Sequence, residues 1–525
     1  MQRSRIILAL GVALLGWAGA ASAQQFPNPD PVLESMWQEG MENSQTYPLA
    51  QALLDSIGPR LTGSPGYQAA GDWLVAMYGR WGVAARNEQY GTWKGWERGL
   101  THIDLVEPRV RTLEGMMLAW SPGTRGKVKA GVVILGDVAD STEFQAWLPE
   151  VKGKFVLTSL PQPTCRPDAD WEEWATEESF EQMKAKRDTA RRAWRQRVAN
   201  TGTGRNGLGP ALEAAGAVGV ISSNWSSGWG ARRIFAAYTE NVPTMDLGCE
   251  DYGLVFRLAK HGQNPILEVE AKAKWDDEVP LFNTIATIPG SEKPDEYIVL
   301  SAHLDSWDGG SGATDNGTGT IMMLEAMRIL QATYPNPKRT IIVGHWDSEE
   351  QGLNGSRAFA ADHPEVVGGM HALFNEDNGT GRVVGISMQG LTGAGSYFAR
   401  WVGQLPGEIR GHIELTIPGT PSGGGTDNAS FVCSGAPAFG LFAHRWSYFT
   451  YTWHTERDTF DKLVFDDLES NATLTAMLVY LADQESEMIP RDRVEVLPPS
   501  RFGPPQRTWP ACRDAMRTWE DYRNR

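Results

Sequence analysis

A chain of 525 residues with a formal net charge of −16 is too long for one ordinary core and too acidic for a nucleic-acid partner, because phosphate binding needs basic patches. Its 41% apolar and 21% charged residues are ordinary for a soluble globular protein. The count of 21 Trp is high, and large aromatics suit deep cores and clefts that hold small organic ligands.

The N-terminus reads as a secretory signal peptide, 1–23. Arg3 and Arg5 precede an apolar run from Ile6 to about Trp17, and Ala21-Ser22-Ala23 offers a small-residue cleavage site before Gln24. That run is shorter than the ~20 residues a membrane span needs, and no other segment is long and apolar enough. The mature protein is therefore expected to be periplasmic or secreted, with no integral membrane span. In that oxidising compartment Cys165, Cys249, Cys433 and Cys512 are compatible with two disulfides. Three connectivities are open, and no spacing is that of a zinc finger.

Residues 24–126 form an N-terminal part that is helical from about Met41 to Val83, broken by the turn Gly58-Pro59-Arg60-Leu61-Thr62-Gly63-Ser64-Pro65-Gly66. From 127 to 274 the texture becomes β-rich. Strand-like runs at Ala130–Leu135, Lys154–Leu157 and Ile266–Glu270 are joined by the glycine-bearing Ala214–Ile221. A highly charged helix, about Trp171 to Val198, reads as a solvated outer face.

From 275 to 490 strand, loop and helix repeat. Strands are expected at Asn283–Ile288, Tyr297–Ala302, Thr340–Trp346, Met370–Asn375 and Ala436–Phe442, and helices at about Asn316–Thr333, Ser396–Leu405 and Asp466–Ser486. This alternation predicts an α/β fold with a mixed, largely parallel sheet flanked by helices, interrupted by a β-rich insert. The tail, 491–525, is rich in Pro and Arg and reads as a surface strap with one short helix.

Ligand sites in such sheets lie beyond the carboxyl ends of the strands. The acids and histidines collect there. His303, Asp305 and Asp315 follow the Tyr297 strand in "SAHLDSWDGGSGATDNGTGT", Glu349-Glu350 follow the Thr340 strand, and Glu376-Asp377 follow the Met370 strand. Beyond the Ala436 strand comes Trp453-His454-Thr455-Glu456-Arg457-Asp458-Thr459. So many like charges need a cation among them. Two imidazoles and three carboxylates, with one carboxylate left over, suit a pair of zinc ions, which take N and O donors at ~2.0–2.2 Å. Ions ~3.5–4 Å apart are served by a shared ligand, and a carboxylate can bridge where a neutral imidazole cannot.

His-x-Asp, Gly-Ala-x-Asp-x-Gly, Glu-Glu-x-Gly, a strand-end Asp and a final His-x-x-x-Asp-Thr resemble the motifs of the co-catalytic zinc exopeptidases. More narrowly, "HLDSWDGGSGATDNGTG", "KRTIIVGHWDSEEQG" and "GGGTDNASF" resemble its plasma glutamate carboxypeptidase branch. The insert, with Ala215–Gly219 and Val242-Pro243-Thr244, is similar to a protease-associated domain. The resemblance implies that Asp315 bridges two Zn2+, that His303 and Asp377 complete one site, and that Glu350 and His454 complete the other. Glu349 is then the general base, Asp305 holds the second ring nitrogen of His303, and Asp458 braces the loop bearing His454. It also implies a homodimer, which no sequence feature demonstrates.

Each residue has a plainer alternative. His303 could be an ordinary loop histidine, Asp305 a turn cap, and Glu349-Glu350 solvated surface. Glu376 competes with Asp377 as ligand, Asp308 reads as a turn residue, His345 as a packed strand residue, and His444 is left open. Some zinc aminopeptidases of this kind carry Tyr before the last His. Here that residue is Trp453, so Tyr448 or Tyr451 must supply any hydroxyl for the oxyanion. Ser422–Asp427, with Asp427 at its end, is expected to line the region that holds the peptide terminus. The expected activity is hydrolysis of dipeptides or short peptides, as a carboxypeptidase or dipeptidase. A broad-preference aminopeptidase, a one-zinc glutaminyl cyclase and a non-catalytic peptide-binding homologue are the rivals. The full set of ligands and base speaks against the last two.

Overall fold

Four apolar runs set the middle of the sheet. Lys293–His303, Arg339–Trp346, Met370–Asn375 and Ala438–Ala443 are strands buried on both faces over most of their length, the pattern of parallel strands packed between two helix layers. The computed structural model describes residues 26–497 and 508–525. The expected signal peptide, 1–23, lies outside them. In space the strands run Ala438–Ala443, Met370–Asn375, Lys293–His303, Arg339–Trp346, each parallel to its neighbour. The register pairs Trp346 with His303, and Asn375 with both Ser301 and Gly440. All four carboxyl ends therefore meet at one rim.

One edge carries Val383–Ser387, antiparallel to Ala438–Ala443, and then Glu414–Thr416. The other carries an antiparallel ribbon of two long strands, Ala84–Glu107 and Ile266–Ile288. Helices Thr318–Thr333 and Phe465–Gln484 cover one face, burying Ile321, Leu324, Met327, Leu474 and Leu478 among the strand residues. Helices Asn354–Asp362 and Ala429–Val432 cover the other through Phe359, Phe431 and Val432. Each such apolar side chain contributes roughly 1.5–3 kcal/mol by leaving water.

The ribbon runs on past these central strands and carries a second set of strands. Val128–Ile134 pairs with its far end, followed by Phe155–Leu157, Gly219–Ser222, Thr244–Leu247 and Gly115–Met117. Apolar clusters on the two faces of this second sheet centre on Leu247, Val255 and Leu267, and on Phe144, Val156 and Leu212. The charged helix is present as Glu177–Asn200, with only Met183 and Arg187 buried.

Where the two parts meet, Trp93, Trp96, Trp120, Trp307 and Tyr522 form an aromatic core. Tyr522 belongs to the tail helix Trp519–Arg523, so the tail is not merely a surface strap: it inserts a ring into the junction. The disulfides are Cys165–Cys249 and Cys433–Cys512. Among the described residues no helix is long and apolar enough to cross a membrane.

Candidate metal centre

The rim assembles the acids and imidazoles from four separate chain segments. His303 is the last residue of its strand and fully buried. Its Nε2 lies 3.5 Å from Asp315 Oδ1 and 3.4 Å from Asp377 Oδ1. His454 Nε2 lies 3.4 Å from Asp315 Oδ2 and 2.9 Å from Glu350 Oε2. Asp315 thus turns one oxygen toward each imidazole. Two trios result, His303 with Glu349 and Asp377, and Asp315 with Glu350 and His454, each with its ligand atoms within 4.8 Å of one another. Glu349 and Glu350 keep some solvent exposure while His303 and Asp315 lie beneath them.

The donor chemistry fits zinc, which accepts imidazole nitrogen and carboxylate oxygen. His303 Nε2, Asp315 Oδ2 and Glu350 Oε1 are buried without a hydrogen-bond partner among the described residues, a costly state unless a cation completes them. Electrostatics agrees. Burial pushes the Glu349 and Glu350 carboxyls well above the usual carboxylate range, and the neighbouring acids add to it. Burial, outweighing Asp315 and Asp377, pushes His454 down to about 4, which leaves its ring neutral and its lone pair free to coordinate. Burial also opposes charge on His303, yet Asp377, Asp305 and Asp315 hold its pKa well above the ordinary value.

The supports around the centre are backbone clasps. Asp305 accepts the amide N–H groups of Glu349 at 3.0 Å and Glu350 at 3.2 Å. The ring Nδ1 of His303 meets the Asp305 carbonyl at 2.9 Å, with the carboxylate farther off at 3.5 Å. The side chain therefore fixes the Glu349-Glu350 turn more closely than it fixes the ring. Asp458 accepts the amides of Thr314 at 2.9 Å and Asp315 at 3.0 Å, tying the loop that bears His454 to the one that bears Asp315.

Arg60 was not singled out from the sequence. It is fully buried and donates to the carbonyls of Leu304, Ser311 and Gly312 at 2.7, 2.6 and 2.9 Å. Burial lowers it to about 10 despite Asp458, Asp305 and Asp315. Its one signal in the sequence is an arginine inside the Gly58–Gly66 turn.

The loop between strands Gly219–Ser222 and Thr244–Leu247 of the second sheet also reaches the centre. The Ile234 amide donates to the His454 carbonyl at 2.7 Å. The buried pair Arg232 and Glu456 joins the two segments through a backbone N–H at 2.9 Å and Nε at 3.4 Å. Phe235 and Trp307 sit against the His454 ring at 5.4 and 6.0 Å, and Trp453 stacks on it at 3.8 Å.

The remaining expectations sort by contact. Glu376 turns its Oε1 to the Asn378 amide at 3.2 Å, whereas Asp377 faces His303. Asp308 is held by Arg98 at 2.5 and 2.8 Å, and His345 by the Tyr78 hydroxyl at 2.7 Å. His444 is exposed. Tyr448 is buried facing Asp315, while Tyr451 leans on Gly228 of the loop before Thr244–Leu247; of the two hydroxyls, Tyr448 is the one at the centre. Asp427 is fully buried beside Ser356 and, by burial, pushed up to about 7, so it lies under the site rather than along its wall.

Residues 283–479 match the model of peptidase family M28. Over 455 residues the chain is 25% identical to carboxypeptidase Q of Homo sapiens, covering 86% of this chain and 88% of that one. A peptidase M28 precursor from Shewanella amazonensis superposes with a TM-score of 0.63 at 22% identity, covering 89% of this chain and 98% of that one. A zinc aminopeptidase from Bacillus subtilis superposes at 0.54 with 18% identity, covering 83% and 93%. The α/β fold is shared with both.

Proposed function

Because this chain is a zinc exopeptidase of peptidase family M28 with carboxypeptidase Q among its relatives, we propose that it binds two Zn2+ and hydrolyses dipeptides or short peptides with Glu349 as general base. One observation carries the reading: Asp315 presents its two oxygens to two different imidazoles, His303 at 3.5 Å and His454 at 3.4 Å. His303 and Asp377 complete one site, and Glu350 and His454 the other. Zinc held by these residues would supply a water of lowered pKa and a Lewis acid for the peptide carbonyl.

The chain's own groups do the rest. Glu349 takes the water's proton and returns it to the departing amine nitrogen. Burial with neighbouring acids raises its affinity for that proton. Asp305 fixes the Glu349 backbone and Asp458 fixes that of Asp315. The Tyr448 hydroxyl is the donor for the developing oxyanion. The second sheet, which takes in 127–274 and Gly115–Met117 before it, is read as a protease-associated-like insert that closes one side of the cleft. A leader at 1–23 would deliver the enzyme to the periplasm or the exterior, where its two disulfides persist.

Glu349→Gln tests the base. Zinc content should stay at the wild-type value while kcat falls about a thousandfold. Near-normal turnover would remove Glu349 from the role.

A further inference from the structure

Guanidinium groups gather beside the metal centre of a chain whose net charge is −16. A cavity of about 400 Å³ opens between helix Asn354–Asp362, the loop at Gly423 and the tail after Pro510. Arg357, Arg513 and Arg517 line it against one carboxylate, Asp514, among the described residues. Arg517 is engaged by the two oxygens of Asp362 at 2.7 and 3.0 Å. Arg357 and Arg513 are not: among the described residues neither guanidinium makes a hydrogen bond or an ion pair. Arg525 stands nearby, donating to the Gln351 carbonyl at 3.2 Å.

Arg357 is half-buried. Burial, with the like charges of Arg513 and Arg525, lowers its pKa, and Asp427 and Glu349 pull the other way. A partly desolvated cation among like charges is stabilised when an anion arrives. A guanidinium fork matches a carboxylate with two parallel hydrogen bonds.

None of the centre's residues lines the cavity, but Glu349 lies within electrostatic reach of Arg357 on its wall. Arg357 sits in the first turn of the helix that follows Glu349-Glu350. On the opposite wall, Gly423 belongs to the loop leading to Thr426, whose hydroxyl accepts Asn375 Nδ2 at 2.8 Å, two residues before Asp377. The Cys433–Cys512 disulfide pins the tail in place.

Resting on the peptidase reading above, we infer that this cavity receives a carboxylate of the peptide substrate, through Arg357 and Arg513, while the scissile bond lies at Glu349. Two sources present that group: the C-terminal carboxylate and an acidic side chain. The occupant sets specificity for anionic peptides, a property the zinc ligands alone cannot supply.

Kinetics on alanyl-alanine, alanyl-alanine amide and alanyl-glutamate amide test this in zinc-loaded wild type, Arg357→Gln and Arg513→Gln. For a peptide that is held but not cut, its inhibition constant replaces kcat/KM. In either variant the preference for a carboxylate-bearing peptide over alanyl-alanine amide should fall about tenfold or more, through KM. Arg513 is exposed, so its variant keeps the test open should Arg357→Gln not fold. If the glutamate amide regains the preference, the side chain is the source; if only free alanyl-alanine has it, the C-terminal carboxylate is. An unchanged preference in both variants, or a wild type that does not distinguish the amide from either carboxylate, overturns the inference alone. A wild type that cuts none of the three overturns the peptidase reading and this inference with it.

Discussion

The two halves of the candidate metal centre are held in place by different means. His303 closes its own strand, and Asp377 and Glu349 follow within a few residues of Asn375 and Trp346. The parallel sheet, with its register fixed by buried neighbours, positions that half. His454 comes well beyond Ala443 and carries a φ of 59°, a backbone region that costs a residue other than glycine roughly 1–3 kcal/mol unless its surroundings hold it there. Those surroundings come largely from the loop joining strands Gly219–Ser222 and Thr244–Leu247 of the second sheet, through Ile234, Phe235 and the Arg232–Glu456 pair. One half is built on strands; the other is clasped by a different part of the molecule. The second sheet is therefore a support of the centre as well as a neighbour of it.

Asp315, where the halves meet, should show the largest effect. Asp315→Asn removes the shared charge, and zinc analysis should show both sites emptied and turnover lost by at least about a thousandfold. Retention of one tightly bound ion would mean that the halves are independent. Glu456→Gln sharpens the contrast. It leaves the strand-held half alone and loosens the clasp on His454, so competition with a chelator should show one site weakened about 10–100-fold and the other unchanged. Equal weakening of both would erase the distinction.

The smallest effect concerns pH. Asp246 is fully buried and, by burial against Ser222, Arg232 and the Asn224 amide, is raised from 3.8 to about 7, with Glu456 adding to the rise. The folded chain therefore holds a proton that the unfolded chain has released. This contribution to stability is present at low pH and is lost as the pH climbs from about 4 through about 7. Asp246→Asn should flatten that fall in a thermal-unfolding series between pH 5 and 8. An unchanged slope would place the titration elsewhere.

The strand-held half was legible because its signals are local. An apolar run of strand length followed at once by His303, Glu349-Glu350 or Asp377 can be read without knowing what lies opposite. Met370–Asn375 was predicted with the bounds it has, and Thr318–Thr333 begins two residues later than expected. The ribbon strand Ala84–Glu107 was not foreseen. Gly91, Gly95 and Gly99 interrupt its pattern, and its register shifts repeatedly along the partner. At Gly91 a Cβ would fall 2.2 Å from the Arg517 carbonyl, so the glycine is explained by a tail hundreds of residues away. Arg60, the Arg232–Glu456 clasp and the choice of Tyr448 over Tyr451 were hidden for the same reason: their partners are distant in the chain. The disulfide pairing, open among three alternatives in the sequence, needed the fold to bring Cys433 to Cys512 and Cys165 to Cys249.

Metal content of active, zinc-saturated protein is the most direct measurement. A bridging Asp315 between two imidazoles predicts two zinc ions per chain, with activity rising only as the second is bound. Full activity at one ion per chain would contradict a shared carboxylate and, with it, the pairing of the two halves.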